Sequence, residues 1–372
     1  MIFHQKRNWL IICAVSIAFL LTACSAAGSD TQSPKQDGSQ SAADVFEQDD
    51  KDAEKKIVVG FSQLGAESDW RSAHSDSMRN ELTQEQGFEL LFEDGQQKQS
   101  NQIMAIRTFI QREVDYIVLA PVTETGWDSV LSEAKEAGIP VIIVDRRVDI
   151  ADESLFSCWL GSDFELEGKK ATTWLYEYTD KKGINPADLH IVNIQGTLGS
   201  SAQIGRSKGL REACEQYGWD LKQQISGDFT QTKGREVTTA MLRLYQDINV
   251  IYCENDNEAL GAIEAIEAAG RVAGMDIQNG EIMVLSFDGM NRMALQYAME
   301  GKIACIAECN PLHGARIAEL IRQMEAGEQP EKYSYVEEDF FSGTDQVKTL
   351  KIDGEEYPVT KLTQEVIDAR QF

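Results

Sequence analysis

The chain has 372 residues, 42% of them hydrophobic, which is enough to fill two ordinary domain cores. There are 35 Lys and Arg against 61 Asp and Glu, a formal net charge of −26. So acidic a chain repels phosphate backbones and anionic headgroups, which argues against nucleic acid and against direct adsorption to a membrane surface.

The chain opens with Lys6 and Arg7 and then an apolar run over 9–21, too short to span a bilayer comfortably. That run ends in Leu21-Thr22-Ala23-Cys24. Small residues directly before a cysteine resemble the processing site of bacterial lipoproteins, where cleavage leaves the cysteine N-terminal and lipid, commonly palmitate, on it. The alternative is an ordinary secretory signal with an incidental cysteine. Residues 1–23 are therefore expected to be removed, and Cys24 to be lipidated. The stretch 24–56 is rich in Ser, Gln, Asp, Ala and Lys and nearly free of large apolar residues. It reads as a flexible tether.

Of seven cysteines, Cys13 leaves with the signal and Cys24 is assigned to lipid. Cys158, Cys214, Cys253, Cys305 and Cys309 remain, an odd set, so at least one thiol is free or pairs with another chain. There is no CxxC, and His313 is the only histidine near the pair 305/309. These cysteines read as small buried apolar residues, and neither metal nor cofactor is expected.

From residue 57 onward, short apolar runs alternate with helical patterns. Strands are predicted over 57–62, 88–92, 116–120 and 140–144, with helices over 70–86, 102–111 and 126–137. The grammar restarts after about residue 160. Helices over 166–178, 202–217, 234–245, 259–269, 290–300 and 312–325 then alternate with strands over 190–194, 221–225, 249–253, 282–287 and 303–307. Several strands are continuously apolar, as parallel strands covered on both faces are. The chain is thus predicted to be α/β, with two doubly wound parallel-sheet lobes. No long linker separates them, which favours lobes sharing a hinge. The tail from 333 differs. It holds strand-like pieces at 347–352 and 357–359 around the turn Asp353-Gly354, then a short helix near Glu365.

In open α/β sheets ligands bind beyond the C-terminal ends of the strands. Five such places carry polar or aromatic residues: Ser62 through Arg71, Asp145-Arg146, Gly196-Thr197 with Arg206 further on, Glu254-Asn255-Asp256, and Asp288-Gly289. An Asp or Asn at one strand-to-helix junction is often only a helix cap. All five together fit a polyhydroxylated ligand. Carboxylates accept from hydroxyls, Arg and Asn donate in fixed geometry, and Trp70 or Phe229 can cover the C–H face of a ring. Catalytic patterns are mostly missing. Only His74, His190 and His313 follow the signal, and there is neither HExxH nor a Walker-A loop. Gly205-Arg206-Ser207-Lys208-Gly209 matches GxSxG in letters, but inside a predicted helix rather than at a nucleophile elbow.

In order along the chain stand Val59-Gly60-Phe61-Ser62-Gln63, Glu67-Ser68-Asp69-Trp70-Arg71, Asp94-Gly95-Gln96-Gln97-Lys98-Gln99, Ala120-Pro121-Val122 with Gly126-Trp127, Val144-Asp145-Arg146, Gln195-Gly196-Thr197-Leu198-Gly199, Gly227-Asp228-Phe229-Thr230 and Glu254-Asn255-Asp256. They resemble the type 1 periplasmic sugar-binding proteins of the ribose and galactose group, and within it the galactofuranose-binding subgroup of ABC importers. The resemblance covers roughly 57–327. It implies the periplasmic-binding-protein type 1 fold, two lobes joined by a three-segment hinge with the sugar between them. On this pattern 57–160 and 309–332 form the N-terminal lobe, and 161–308 with 333–372 the C-terminal lobe.

By the same resemblance, Asp145 and Arg146 bind neighbouring ring hydroxyls, while Arg206, Asn255 and Asp288 clamp from the opposite side. Glu67 and Arg71 reach the exocyclic end, beside Ser68. Trp70 and Phe229 are ring contacts, and Glu308 on a hinge crossing is a polar one. The pattern is broken at Asp69, where relatives often have Gly, and at Phe164, where many carry Asn; the tail beyond 333 is longer than usual.

The resulting expectation is a monomeric, membrane-anchored, extracytoplasmic lipoprotein. It would bind a monosaccharide, with galactofuranose the first candidate, and deliver it to ABC permease subunits. A sensory protein presenting the same sugar to a membrane histidine kinase would use the same pocket. A surface glycosidase would need an acid/base pair that the sequence does not offer persuasively.

Overall fold

The apolar runs of the first half become one sheet and those of the second half another. The computed structural model describes residues 56–372. The export segment 1–23, Cys24 and the tether up to residue 55 lie outside the described residues. The first lobe contains β1 (Ile57–Gln63), α1 (Asp69–Glu81), β2 (Phe88–Asp94), α2 (Gln99–Gln111), β3 (Tyr116–Leu119), α3 (Asp128–Glu136), β4 (Val141–Val144) and β5 (Cys158–Gly161). Its strands are parallel in the order β5-β4-β3-β1-β2. Every residue of β3 and β4 is buried. That is why these strands read as unbroken apolar runs instead of alternating ones.

The second lobe repeats the plan with α4 (Phe164–Lys181), β6 (His190–Gln195), α5 (Ser201–Tyr217), β7 (Asp220–Ser226), α6 (Gln231–Leu244), β8 (Val250–Cys253), α7 (Asp256–Ala268), β9 (Met283–Asp288), α8 (Arg292–Glu300) and β10 (Cys305–Glu308). The strand order is β10-β9-β8-β6-β7, again parallel. The chain then returns to the first lobe. α9 (Gly314–Glu325) buries Ile317, Ala318 and Ile321 in the same core as Val59 and Met78.

The tail corrects one expected boundary. β11 (Tyr333–Tyr335) pairs parallel with β5 and so belongs to the first sheet. The return to the second lobe begins only with β12 (Phe340–Ser342), antiparallel to β10. Residues 333–335 alternate exposed and half-buried, so they present no apolar run to read. Their tyrosines instead pack on Trp159, with ring centroids 6.2 and 5.3 Å away. β5, whose sequence is Cys-Trp-Leu-Gly with no β-branched residue, gives no strand signal either. The hairpin of β13 (Thr349–Ile352) and β14 (Glu355–Pro358) forms around Asp353-Gly354, where both residues have positive φ. β15 (Thr360–Lys361) joins β12, and α10 (Gln364–Ala369) closes the chain.

Three segments therefore connect the lobes: 162–163, 309–313 and 336–339. Glu338, on the third, accepts from Ser162 Oγ on the first at 2.6 Å and from the Asn310 amide on the second at 2.8 Å. One carboxylate thus holds all three crossings together. The five remaining cysteines are buried and form no disulfide.

Candidate functional site

The C-terminal ends of β1, β4, β8 and β9 converge where the two lobes meet. Ser68 caps α1, its hydroxyl accepting from the Arg71 amide at 3.2 Å, and so starts the helix that carries Trp70 and Arg71 inward. Arg71 is buried against two carboxylates, with Asp145 Oδ2 2.7 Å from Nη1 and Glu67 Oε1 3.3 Å from Nε. Burial alone would lower its pKa, but Asp145 and Glu67 outweigh that and raise it. Arg146 donates to the Val122 carbonyl at 3.0 Å and lies 3.6 Å from Glu67 Oε1. Burial, reinforced by Arg71, brings its pKa down to about 10, so it remains a cation at neutral pH. Glu67 Oε2 is buried with no hydrogen-bond partner, a free acceptor.

In the second lobe, Arg206 is the central group. Its Nε donates to Glu167 Oε2 at 2.6 Å, Nη2 to Asp288 Oδ1 at 3.2 Å, and Nη1 to the Glu254 carbonyl. The sequence explains the approach. A Cβ at Gly209 would stand 2.7 Å from Gly168 backbone, and one at Gly205 would stand 2.7 Å from the Phe164 side chain. These glycines let α4 and α5 touch, which brings Glu167 beside Arg206; the GxSxG letters serve packing. Burial opposes the charge on Arg206, but Glu167 and Asp288 hold its pKa well above normal. Burial, more than Arg206 can offset, lifts Glu167 to about 7, and it raises Asp288 as well.

Asn255 is both a cap and a wall of the site. Its Oδ1 accepts from the Glu258 amide at 2.8 Å, and its Nδ2 donates to the Phe229 carbonyl at 3.1 Å. Asp145, Phe229 and Asp288 all have positive φ, at 64°, 61° and 83°. A left-handed backbone at three non-glycine residues is costly, and such residues gather at functional sites.

Glu67, Ser68, Trp70, Arg71, Asp145, Arg146, Arg206, Phe229, Asn255 and Asp288 all line one cavity, together with Phe164, Ala202 and Cys309. Glu308 does not. It points to the other side of the hinge, accepting from Arg370 at 2.6 Å and from the Asp339 amide at 2.6 Å. Its neighbour Cys309 is at the cavity instead, its carbonyl accepting from Trp70 Nε1 at 2.7 Å. Successive residues of an extended strand face opposite ways, so a one-residue error reverses the side. Phe164 was visible in sequence as a departure from the pattern, at the start of the first helix after the hinge. Ala202 and the supporting Glu167 gave no signal.

The cavity holds about 20 Å³ of free space, room for a water and not for a sugar ring. The lobes are closed on each other, with Arg146 over the Phe229 ring at 5.2 Å. Three acids and three guanidinium groups line the cavity. Paired in this way, they suit a neutral ligand that both donates and accepts hydrogen bonds.

A sequence profile of the periplasmic binding protein domain matches residues 34–329. The chain belongs to this family. It is 38% identical to the galactofuranose-binding protein of Escherichia coli K12 over 74% of this chain and 85% of that one. A fructose import binding protein of Bifidobacterium longum is 29% identical, over 79% and 87%. A crystal structure of a galactofuranose binding protein superposes with a TM-score of 0.71 at 36% identity, covering 77% of this chain and 95% of that one. A Mycobacterium smegmatis protein in complex with β-D-fucofuranose gives 0.72 at 36% identity, covering 78% and 92%. The periplasmic binding protein thus has the type 1 fold expected from the sequence, and it is a solute-binding protein, not an enzyme. Among the described residues no helix is long and apolar enough to cross a membrane.

Proposed function

We propose that this protein binds a monosaccharide in its furanose form, galactofuranose first among candidates, and presents it in the closed state to an ABC permease. The observation that carries this is the charge-balanced cavity. A sugar acid or phosphate would find no unpaired guanidinium, because Arg71, Arg146 and Arg206 each already face a carboxylate. A neutral polyol can accept from their remaining N–H groups and donate to acceptors such as Glu67 Oε2. Trp70, Phe164 and Phe229 supply the apolar surface for the C–H faces. The galactofuranose binding protein and the protein in complex with β-D-fucofuranose, each 36% identical, support that ring form. Entry requires the lobes to part, and only a ligand that binds the closed form better can drive closure. Cys24 would carry the lipid that holds a monomer near its permease.

A thermal-shift and calorimetry panel of galactose, fucose and arabinose, which sample furanose forms, against locked methyl furanosides and pyranosides tests the reading. A ligand that binds only the native state raises Tm. Binding of a sugar phosphate or uronic acid in preference to the neutral sugars would overturn it. Metabolic labelling with a palmitate analogue, lost in Cys24→Ala, tests the anchor.

A further inference from the structure

We infer that Asp69 is a positioning residue that fastens the closed lobes by docking its carboxylate on two helix N-termini of the opposite lobe. This rests on the closure just proposed. Asp69 is exposed at the rim, between the cavity residues Ser68 and Trp70. It is the first residue of α1, so its amide is one of the helix's unpartnered first-turn donors. That amide donates across the cleft to Asn257 Oδ1 at 3.3 Å. In return Asn257 Nδ2 approaches Asp69 Oδ2 at 3.4 Å. The same Oδ2 accepts from Asn291 Nδ2.

The two asparagines are held ready by their own helices. Asn291 is the N-cap of α8, and its Oδ1 accepts from the Met293 and Ala294 amides at 2.9 and 3.2 Å. Its amide orientation is thereby set, with the NH₂ group left for Asp69. Asn257 is the second residue of α7. A carboxylate near the starts of two helices also meets the positive ends of both dipoles. Glycine at position 69 would keep at most the backbone contact. Two more hydrogen bonds bridge the lobes elsewhere, from the Glu124 amide to the Gly199 carbonyl at 3.0 Å and from the Arg147 amide to Ser201 Oγ at 2.9 Å. Neither brings an ionised group, so the latch at Asp69 is the charge-assisted one among these bridges.

The consequence is that part of the closing free energy comes from the protein itself and not from the sugar. The latch favours the closed form before ligand arrives and slows release afterwards. Small-angle scattering of the ligand-free lipid-less chain decides it, using wild type, Asp69→Ala, Asp69→Asn and the pair Asn257→Ala/Asn291→Ala. The expected result is a larger radius of gyration for Asp69→Ala and for the asparagine pair, with Asp69→Asn between them and wild type. Combining Asp69→Ala with the pair should add no further opening, because all three residues make one contact. An unchanged radius in Asp69→Ala, or full additivity, would overturn the inference. No sugar enters this arm, so it stands or falls independently of the ligand assignment. For a sugar that binds in the panel above, the release rate of Asp69→Ala should rise by about tenfold, with an association rate equal to or faster than wild type because the open form admits the sugar. A change confined to association would count against the latch.

Discussion

The Phe229 ring occupies the space above Gly196, where a Cβ on residue 196 would stand 1.9 Å from Phe229 Cζ. Phe229 itself adopts φ 61°, and its amide donates to Glu258 Oε1 at 2.9 Å, so the ring cannot retreat without breaking that arrangement. Gly196→Ala should therefore push the aromatic wall out of place. We expect a stability loss of about 1–3 kcal/mol, typical of an overpacked site. Sugar affinity should fall by more than about tenfold, since ring position is fixed by that wall. Calorimetry and denaturant unfolding on the same sample separate the two effects. Wild-type affinity would show that Phe229 is not a ring contact.

Asp145 and Arg206 look equivalent in sequence but not in structure. Arg206 bridges Glu167 and Asp288. Arg206→Ala leaves two buried carboxylates facing each other, and breaking such a pair costs about 3–5 kcal/mol. It should lose binding and stability together. Asp145→Asn keeps the side-chain shape and leaves Arg71 its second partner, Glu67. It should lose affinity by about tenfold or more while unfolding within about 1–2 kcal/mol of wild type. Unchanged affinity in Asp145→Asn would remove that residue from the ligand set.

How far the sequence carried this reading follows from the period of each signal. Buried parallel strands such as Val141–Val144 and Val250–Cys253 are continuous apolar runs, so their expected and observed bounds agree within a residue or two. Site residues at strand ends inherited that accuracy, which is why Asp145, Asn255 and Asp288 meet in one cavity. Glu308 failed because side chains alternate there. β5, Cys-Trp-Leu-Gly, has no β-branched residue and ends in glycine, so its four buried positions do not read as a strand, and β11 has two exposed tyrosines and no apolar run. Glu167 could not be read at all. Its importance arises only when glycines 168 and 209 bring two helices together.

Two buried histidines should set an acid limit to stability. The rings of His74 and His313 lie 5.0 Å apart, both fully buried. Burial lowers both, His313 to about 4, with Asp145 opposing and Arg71 adding to the effect; His74 is lowered further by His313 and Arg71. A depressed pKa in the folded state means that protons bind the unfolded chain more tightly. The stability is thus present above pH 6.5 and is lost as pH falls toward 4. For His313 that interval corresponds to roughly 3 kcal/mol. Glu167 and Glu254, each raised to about 7 chiefly by burial, work the opposite way, favouring the folded state below pH 4.5 and losing that contribution as pH rises through 7. His313→Phe keeps an aromatic ring against Trp70 and His74 and should flatten the Tm decline between pH 6.5 and 4. An unaltered acid limb would show that other groups cause it.

The C-terminal tail reaches the hinge through one arginine. Arg370 follows α10 directly, and its Nη2 donates to the Gly289 carbonyl at 2.7 Å and to Glu308 Oε1 at 2.6 Å. Gly289 follows the cavity residue Asp288, and Glu308 precedes the second hinge crossing. The other Glu308 oxygen accepts from the Asp339 amide on the third crossing. Arg370 therefore ties the end of α10 to both a ligand-binding strand end and the hinge. Removing it leaves Glu308 buried without its cation, so Arg370→Ala should cost about 1–3 kcal/mol. Affinity should weaken more than in a variant of comparable stability loss elsewhere in the tail, such as Ile352→Ala in the hairpin. If both variants reduce sugar binding only in proportion to stability, the tail merely completes the second core, and its contact with the hinge carries no signal to the cleft.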